Sequence, residues 1–180
     1  KHVPPTCACD CVGDVAITPP ERIAFTELGA TKADVADYAR AVADWLLLEI
    51  SNRPLSVVRW PDGAAAQCFF QKHVGKGWGP HVHGIDVKDK TSRQKYLFVD
   101  DAQGLLELVQ MNVLEFHPWG ARNDDLEHAD RIVFDLAPPA SVTWSRVVHG
   151  ARQPALRLGP VRLRSPLRTS GAPGCSVVGP

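Results

Sequence analysis

The feature that most constrains this chain is a change of period. Between Thr31 and Ile50, Val35, Tyr38, Ala39, Val42, Trp45 and Leu46 recur at helical spacing, and beyond Ile50 the apolar runs become short and strand-like. Thr31 followed by Asp34 is a near capping box, so the helix has a marked start, and its apolar stripe is expected to lie in the core. Strand candidates follow at 55–60, 67–72, 96–99, 112–117 and 131–136, with Pro61-Asp62-Gly63 as a turn after the first. A short helix is predicted at 102–110. Helix signals return at 143–152, after which Pro154, Pro160 and Pro166 punctuate the chain. Strands mixed with a few helices predict an α+β fold.

A chain of 180 residues suits one domain and can bury roughly 70% of its unfolded surface. No apolar run approaches a membrane span and nothing at the N-terminus resembles a signal peptide, so a cytoplasmic protein is expected. Five cysteines, three of them at 7, 9 and 11, form neither a paired disulfide framework nor a zinc-finger spacing. The net charge of zero hides an asymmetry. Residues 145–180 hold six arginines and no Asp or Glu, which leaves 14 basic against 20 acidic groups before them. A basic end suits a polyanion.

Chemistry is concentrated in a few places. The run Arg131-Ile-Val-Phe-Asp-Leu-Ala-Pro138 reads as a buried strand delivering Asp135. Residues i and i+2 of a strand share a face, so a carboxylate at 137 would complete a pair for divalent metals; the chain has Ala137 there. Asp135 either binds a metal or caps the turn into Pro138-Pro139. His117 ends the strand Asn112-Val-Leu-Glu-Phe-His117 on the same face as Glu115, as a phosphate or metal ligand or as a hydrogen-bonded structural residue. In Phe69-Phe70-Gln71-Lys72-His73 one phenylalanine is expected in the core and the other exposed for stacking, with Lys72 near a phosphate; a strand covered on both faces is the alternative. His73, His81 and His83 are a weaker candidate metal cluster in a Gly-rich loop. Lys32 opposes the helix dipole, which is explained either by phosphate capture at the helix N-terminus or by solvation.

Taken in order, Thr18-Pro-Pro-Glu-Arg-Ile-Ala-Phe25 with Gly29-Ala-Thr-Lys32, Arg53-Pro54 through Arg59-Trp-Pro-Asp-Gly63, Phe69 to His73, Leu105 to Gly120 and Arg131 to Pro138 resemble the polymerase domain of the bacterial ligase D proteins, in the archaeo-eukaryotic primase superfamily. The resemblance covers 18–145, with 1–17 as a tail or linker and 146–180 as a degenerate Arg/Pro-rich continuation. It implies mixed or antiparallel sheets flanked by helices, in a primase-polymerase-like domain that is incomplete here. It also implies nucleotidyl transfer at DNA ends during non-homologous end joining, with Mn2+ or Mg2+ and a nucleoside triphosphate, beside a ligase and the end-binding Ku protein.

In that scheme Asp135 is the first metal-binding acid and His117 lies beside the metals and the triphosphate. Phe69 and Phe70 support a DNA strand, Lys32 with Arg22 meets a 5′-phosphate, and Arg59 lines the same path. The family's Asp-x-Asp reads Asp135-Leu136-Ala137 here, and a methyl group neither coordinates nor neutralises a cation, so metal binding is weakened. A Ser-Gly-Gly-Lys-Gly-Leu-His type loop corresponds to Ser170-Gly171-Ala172-Pro173-Gly174-Cys175-Ser176. Ser170 and Gly171 keep the nucleotide contacts, proline replaces the lysine and serine the histidine. The third catalytic acid would lie beyond Pro180. Three readings stay open: a working transferase, a DNA-end-binding domain without chemistry, or a metal-binding or structural protein built on the cysteines and histidines.

Overall fold

The computed structural model describes residues 11–12, 15–88, 93–139, 141–161, 167–169 and 175–179. In chain order these form β1 (Cys11–Val12), β2 (Val15–Ala16), β3 (Ile23–Phe25), β4 (Ala30–Thr31), α1 (Lys32–Ile50), β5 (Leu55–Arg59), β6 (Phe69–Gln71), β7 (His83–Lys88), β8 (Arg93–Phe98), α2 (Ala102–Gln110), β9 (Val113–Pro118), β10 (Ala121–Arg122), β11 (Asp125–Ala129), β12 (Ile132–Leu136), α3 (Trp144–Leu158), a 3-10 turn (Gly159–Val161), β13 (Leu167–Thr169) and β14 (Cys175–Gly179). Every ladder among them is antiparallel, so the α+β expectation is met. The chain forms two compact units, Lys1–Trp119 and Gly120–Pro180.

In the first unit α1 starts at the capping box that the sequence suggests. The Asp34 carboxylate accepts from the Thr31 N–H at 2.7 Å, and Thr31 Oγ1 accepts from the Asp34 N–H at 3.2 Å. The buried face of α1, however, is Lys32, Ala36, Ala39, Ala43 and Ile50. Of the bulky stripe expected in the core, Ala39 is buried, whereas Tyr38 is 68% and Trp45 71% exposed. Val35, Val42 and Leu46 are half-buried and line a groove of about 380 Å³ with Phe25, Leu28 and Phe116. The reason is size. α1 packs against α2, and a line of alanines lets the two backbones approach, so the small residues go in and the large ones stay at the rim.

α2 is capped by Asp101, whose carboxylate accepts from the Gly104 N–H at 2.7 Å, and it buries Leu105, Leu106, Leu108 and Val109. These side chains meet Leu55, Val57 and Leu97 of a five-stranded sheet ordered β6-β5-β8-β7, with β9 along the other edge of β5. The turn after β5 needs glycine. Gly63 has φ +93°, and a Cβ there would lie 2.9 Å from the Ile23 carbonyl oxygen. That contact brings β3, and with it Arg22, against the end of β5.

The second unit holds the β10-β11 hairpin, a sheet ordered β12-β14-β13, and α3. Val147 and Ala151 of α3 pack with Leu136 and Val142. Two expectations are corrected here. α3 runs past the expected end at 152 and through Pro154, which forgoes the bond to the carbonyl of Gly150. β12 is an edge strand with Ile132, Val133, Phe134 and Asp135 all exposed, not a buried one, so Asp135 does not need a partner on grounds of burial.

Candidate functional site

Lys32 is the first residue of α1, and 5% of it is exposed. Its ammonium donates to the Thr18 carbonyl at 2.8 Å and to the Gln110 carbonyl at 2.6 Å. Gln110 ends α2, so that carbonyl is one of those a helix leaves without an internal partner. The next carbonyl, Met111 O, accepts from Arg59 Nε at 2.8 Å, and Arg59 Nη1 donates to Gln71 Oε1 at 2.8 Å. The Arg59 guanidinium also lies 5.2 Å from the Phe69 ring centroid and 5.3 Å from that of Trp78. Arg22 donates to the Pro61 carbonyl. The negative end of the α2 dipole favours cations at this point.

Burial, and then the charges of Arg22 and Arg59, pull the Lys32 pKa down to about 8. Burial also lowers that of Arg59. Lys32 thus feels the charge of both arginines, and among the described residues the hydrogen-bond partners of the three are neutral oxygens. An anion placed among them would relieve that repulsion. The helix N-terminus itself is not the acceptor that the sequence suggested. Its N–H groups are already used: Lys32 donates to Arg22 O, Ala33 to Pro20 O and Asp34 to Thr31 Oγ1.

The sheet separates the two phenylalanines. Phe69 stands opposite Arg59 and Phe70 opposite Val58, so they face opposite ways as expected. Neither lies in the core, with 44% of Phe69 and 70% of Phe70 exposed, because β6 is an edge strand. Phe70 lies with the His117 ring at 5.6 Å, and His117 Nε2 is 2.6 Å from Glu115 Oε1, which bears out the shared face of 115 and 117. Lys72 places its ammonium 5.3 Å from the Tyr96 ring centroid.

The second unit carries Asp135, paired in register with Ser176, while Leu136 pairs with Cys175 and Thr169 pairs with Cys175 as well. Thr169 and Cys175, which flank the connection between β13 and β14, thus stand at the level of Leu136, one position from Asp135. Ser170 and Gly171, in that connection, lie outside the described residues.

For a metal the donor set falls short. Asp135 brings one carboxylate, Ala137 brings none, and no group of three His, Cys, Asp or Glu among the described residues could hold an ion. The candidate cluster of His73, His81 and His83 does not form. His81 pairs with Asp101 at 2.8 Å, His83 with Asp100 at 3.2 Å, and His73 packs edge-on against Tyr96. Sequence reasoning missed Gln71, Trp78, Gln110 and the Met111 carbonyl. A backbone carbonyl carries no sequence signal, and Trp78 sat in a stretch legible only as Gly-rich loop.

Residues 31–180 match the family described as LigD, primase-polymerase domain. The chain is 34% identical over 166 residues to the Multifunctional non-homologous end joining protein LigD of Pseudomonas aeruginosa, covering 92% of this chain and 20% of that protein. Against the protein of the same description from Mycolicibacterium smegmatis it is 30% identical over 162 residues, covering 89% and 21%. The chain therefore spans about a fifth of the length of these relatives. Among solved structures it is similar to the polymerase domain from Mycobacterium tuberculosis ligase D in complex with DNA. The TM-score is 0.84 at 28% identity, covering 92% of this chain and 61% of that one.

Proposed function

The chain belongs to the LigD primase-polymerase family, and from that membership we propose that it is a nucleotidyltransferase acting on DNA ends in non-homologous end joining, with a divalent cation and a nucleoside triphosphate. The observation that carries the reading is the trio Arg22, Lys32 and Arg59, with Lys32 and Arg59 on carbonyls at the end of α2 and, among the described residues, neutral oxygens as hydrogen-bond partners. Such a trio suits a terminal 5′-phosphate, which carries more charge than an internal one.

On this reading Lys32 and Arg22 take the 5′-phosphate and Arg59, braced by Gln71, follows the strand from it. Phe69 and Phe70 offer ring faces on which bases stack irrespective of sequence, with Lys72 on the backbone. Asp135 is the metal-binding acid, His117 and its partner Glu115 serve the triphosphate, and Ser170 and Gly171 serve the nucleotide. The cation would be Mn2+ or Mg2+, held more weakly than by a pair of acids because Ala137 offers no oxygen. The partners that fit are DNA ends bearing a 5′-phosphate, the Ku protein that holds such ends, and a ligase domain that seals them. No described helix is long and apolar enough to cross a membrane, and the setting proposed is the bacterial cytoplasm, at the nucleoid.

The test is incorporation of a labelled ribonucleotide at a gapped duplex in manganese, with the downstream strand ending in 5′-phosphate or 5′-hydroxyl. The expected outcome is metal-dependent incorporation favoured by the phosphate. Equal incorporation on both ends would remove the role given to the trio. Silence with retained phosphate-dependent binding would leave an end-binding domain without chemistry.

A further inference from the structure

We propose that Gln110 is a positioning residue for Lys32, holding its ammonium so that one N–H is left for an anion. This rests on the reading of Lys32 as a 5′-phosphate ligand and adds the device that aims it. The Gln110 side chain grips one residue, Thr18, through three hydrogen bonds. Its Oε1 accepts from the Thr18 N–H at 2.8 Å, and its Nε2 donates to Thr18 Oγ1 at 2.8 Å and to the Thr18 carbonyl at 3.2 Å. That same Thr18 carbonyl accepts from Lys32, as does the backbone carbonyl of Gln110. Lys32 Nζ, the Thr18 carbonyl, the Gln110 amide and the Gln110 carbonyl thus close a ring joining residues 92 positions apart in the chain.

The ammonium has three N–H groups and the ring takes two of them. The third has no partner among the described residues, and the charges of Arg22 and Arg59 act on the same ammonium. One position on, Met111 O holds Arg59, so a single helix end sets the places of two of the three cations. Without the Gln110 amide, Thr18 keeps its bond to Lys32 but loses the three bonds that hold it in place.

The experiment measures affinity for a gapped duplex with a downstream 5′-phosphate relative to the same duplex with a 5′-hydroxyl. It compares the starting chain with Gln110→Met, Thr18→Val and Lys32→Ala, each first checked as folded by circular dichroism. Gln110→Met keeps the volume and the backbone carbonyl while removing the clasp. It is expected to lower the phosphate preference by roughly five-fold or more without changing hydroxyl-end affinity, with Thr18→Val lowering it less in the same sense. A Gln110→Met protein that keeps the full preference, while Lys32→Ala abolishes it, would overturn the positioning role alone. Should Lys32→Ala also keep the preference, the phosphate reading of Lys32 fails and the positioning role fails with it. If Gln110→Met does not fold, Thr18→Val decides: an unchanged preference counts against the proposal.

Discussion

Lys32 keeps a charge at a place where burial and two arginines oppose it, and the consequences can be read by titration. Its folded pKa, about 8, lies below the ordinary value of 10.5. Between those values the unfolded chain binds the proton and the folded chain does not, so the contribution of Lys32 to stability rises with pH across that window. The phosphate recognition proposed for Lys32 needs the proton and runs the other way. The preference for a 5′-phosphate end is expected to fall as pH rises through about 8, and Lys32→Arg, which stays charged, is expected to flatten that fall; binding measured from pH 7 to 9 checks both. The sequence marked Lys32 because a cation at a helix start needs a reason. It could not show that the reason is a pair of carbonyls, one of them contributed by a residue 78 positions away.

Elements were legible where local chemistry decides them. The Thr31–Asp34 cap and the Pro61-Asp62-Gly63 turn are local, and both stand as expected. Thr31→Ala is expected to cost about 1 kcal/mol in urea unfolding, whereas Tyr38→Ser, on the exposed side of the same helix, should stay within about 0.5 kcal/mol. The second outcome would be surprising from the periodicity, which placed Tyr38 in the core. What misled it is that α1 packs through Ala36, Ala39 and Ala43, and small side chains weigh little in any apolar count. Overfilling that line with Ala39→Leu is expected to cost about 1–3 kcal/mol. Edge position was equally hidden. β6 and β12 read as strands with a buried face, yet each lies at the margin of its sheet, which leaves Phe69, Phe70 and Asp135 exposed.

At the scale of the whole molecule, the candidate residues are distributed over two units, with the cation trio and both phenylalanines in Lys1–Trp119 and Asp135 in Gly120–Pro180. Pairings such as β5 with β9, or Asp135 with Ser176, join distant parts of the chain, and composition and period carry no trace of them. The ordered motifs did carry the family, because their spacing follows the fold. DNA affinity is expected to fall with salt, and Arg59→Ala should reduce the slope of log K against log salt by about 1 without changing sequence preference, as measured by titration at several salt concentrations.

The proposal that Asp135 is the metal-binding acid of a nucleotidyltransferase is tested most directly by nucleotide incorporation in manganese, comparing the starting chain with Asp135→Ala and Ala137→Asp. Weak incorporation is expected in the starting chain, none in Asp135→Ala, and a gain of roughly ten-fold or more in Ala137→Asp, equivalent to about 1.4 kcal/mol of transition-state stabilisation. Incorporation that survives Asp135→Ala, or that Ala137→Asp leaves unchanged, would contradict it.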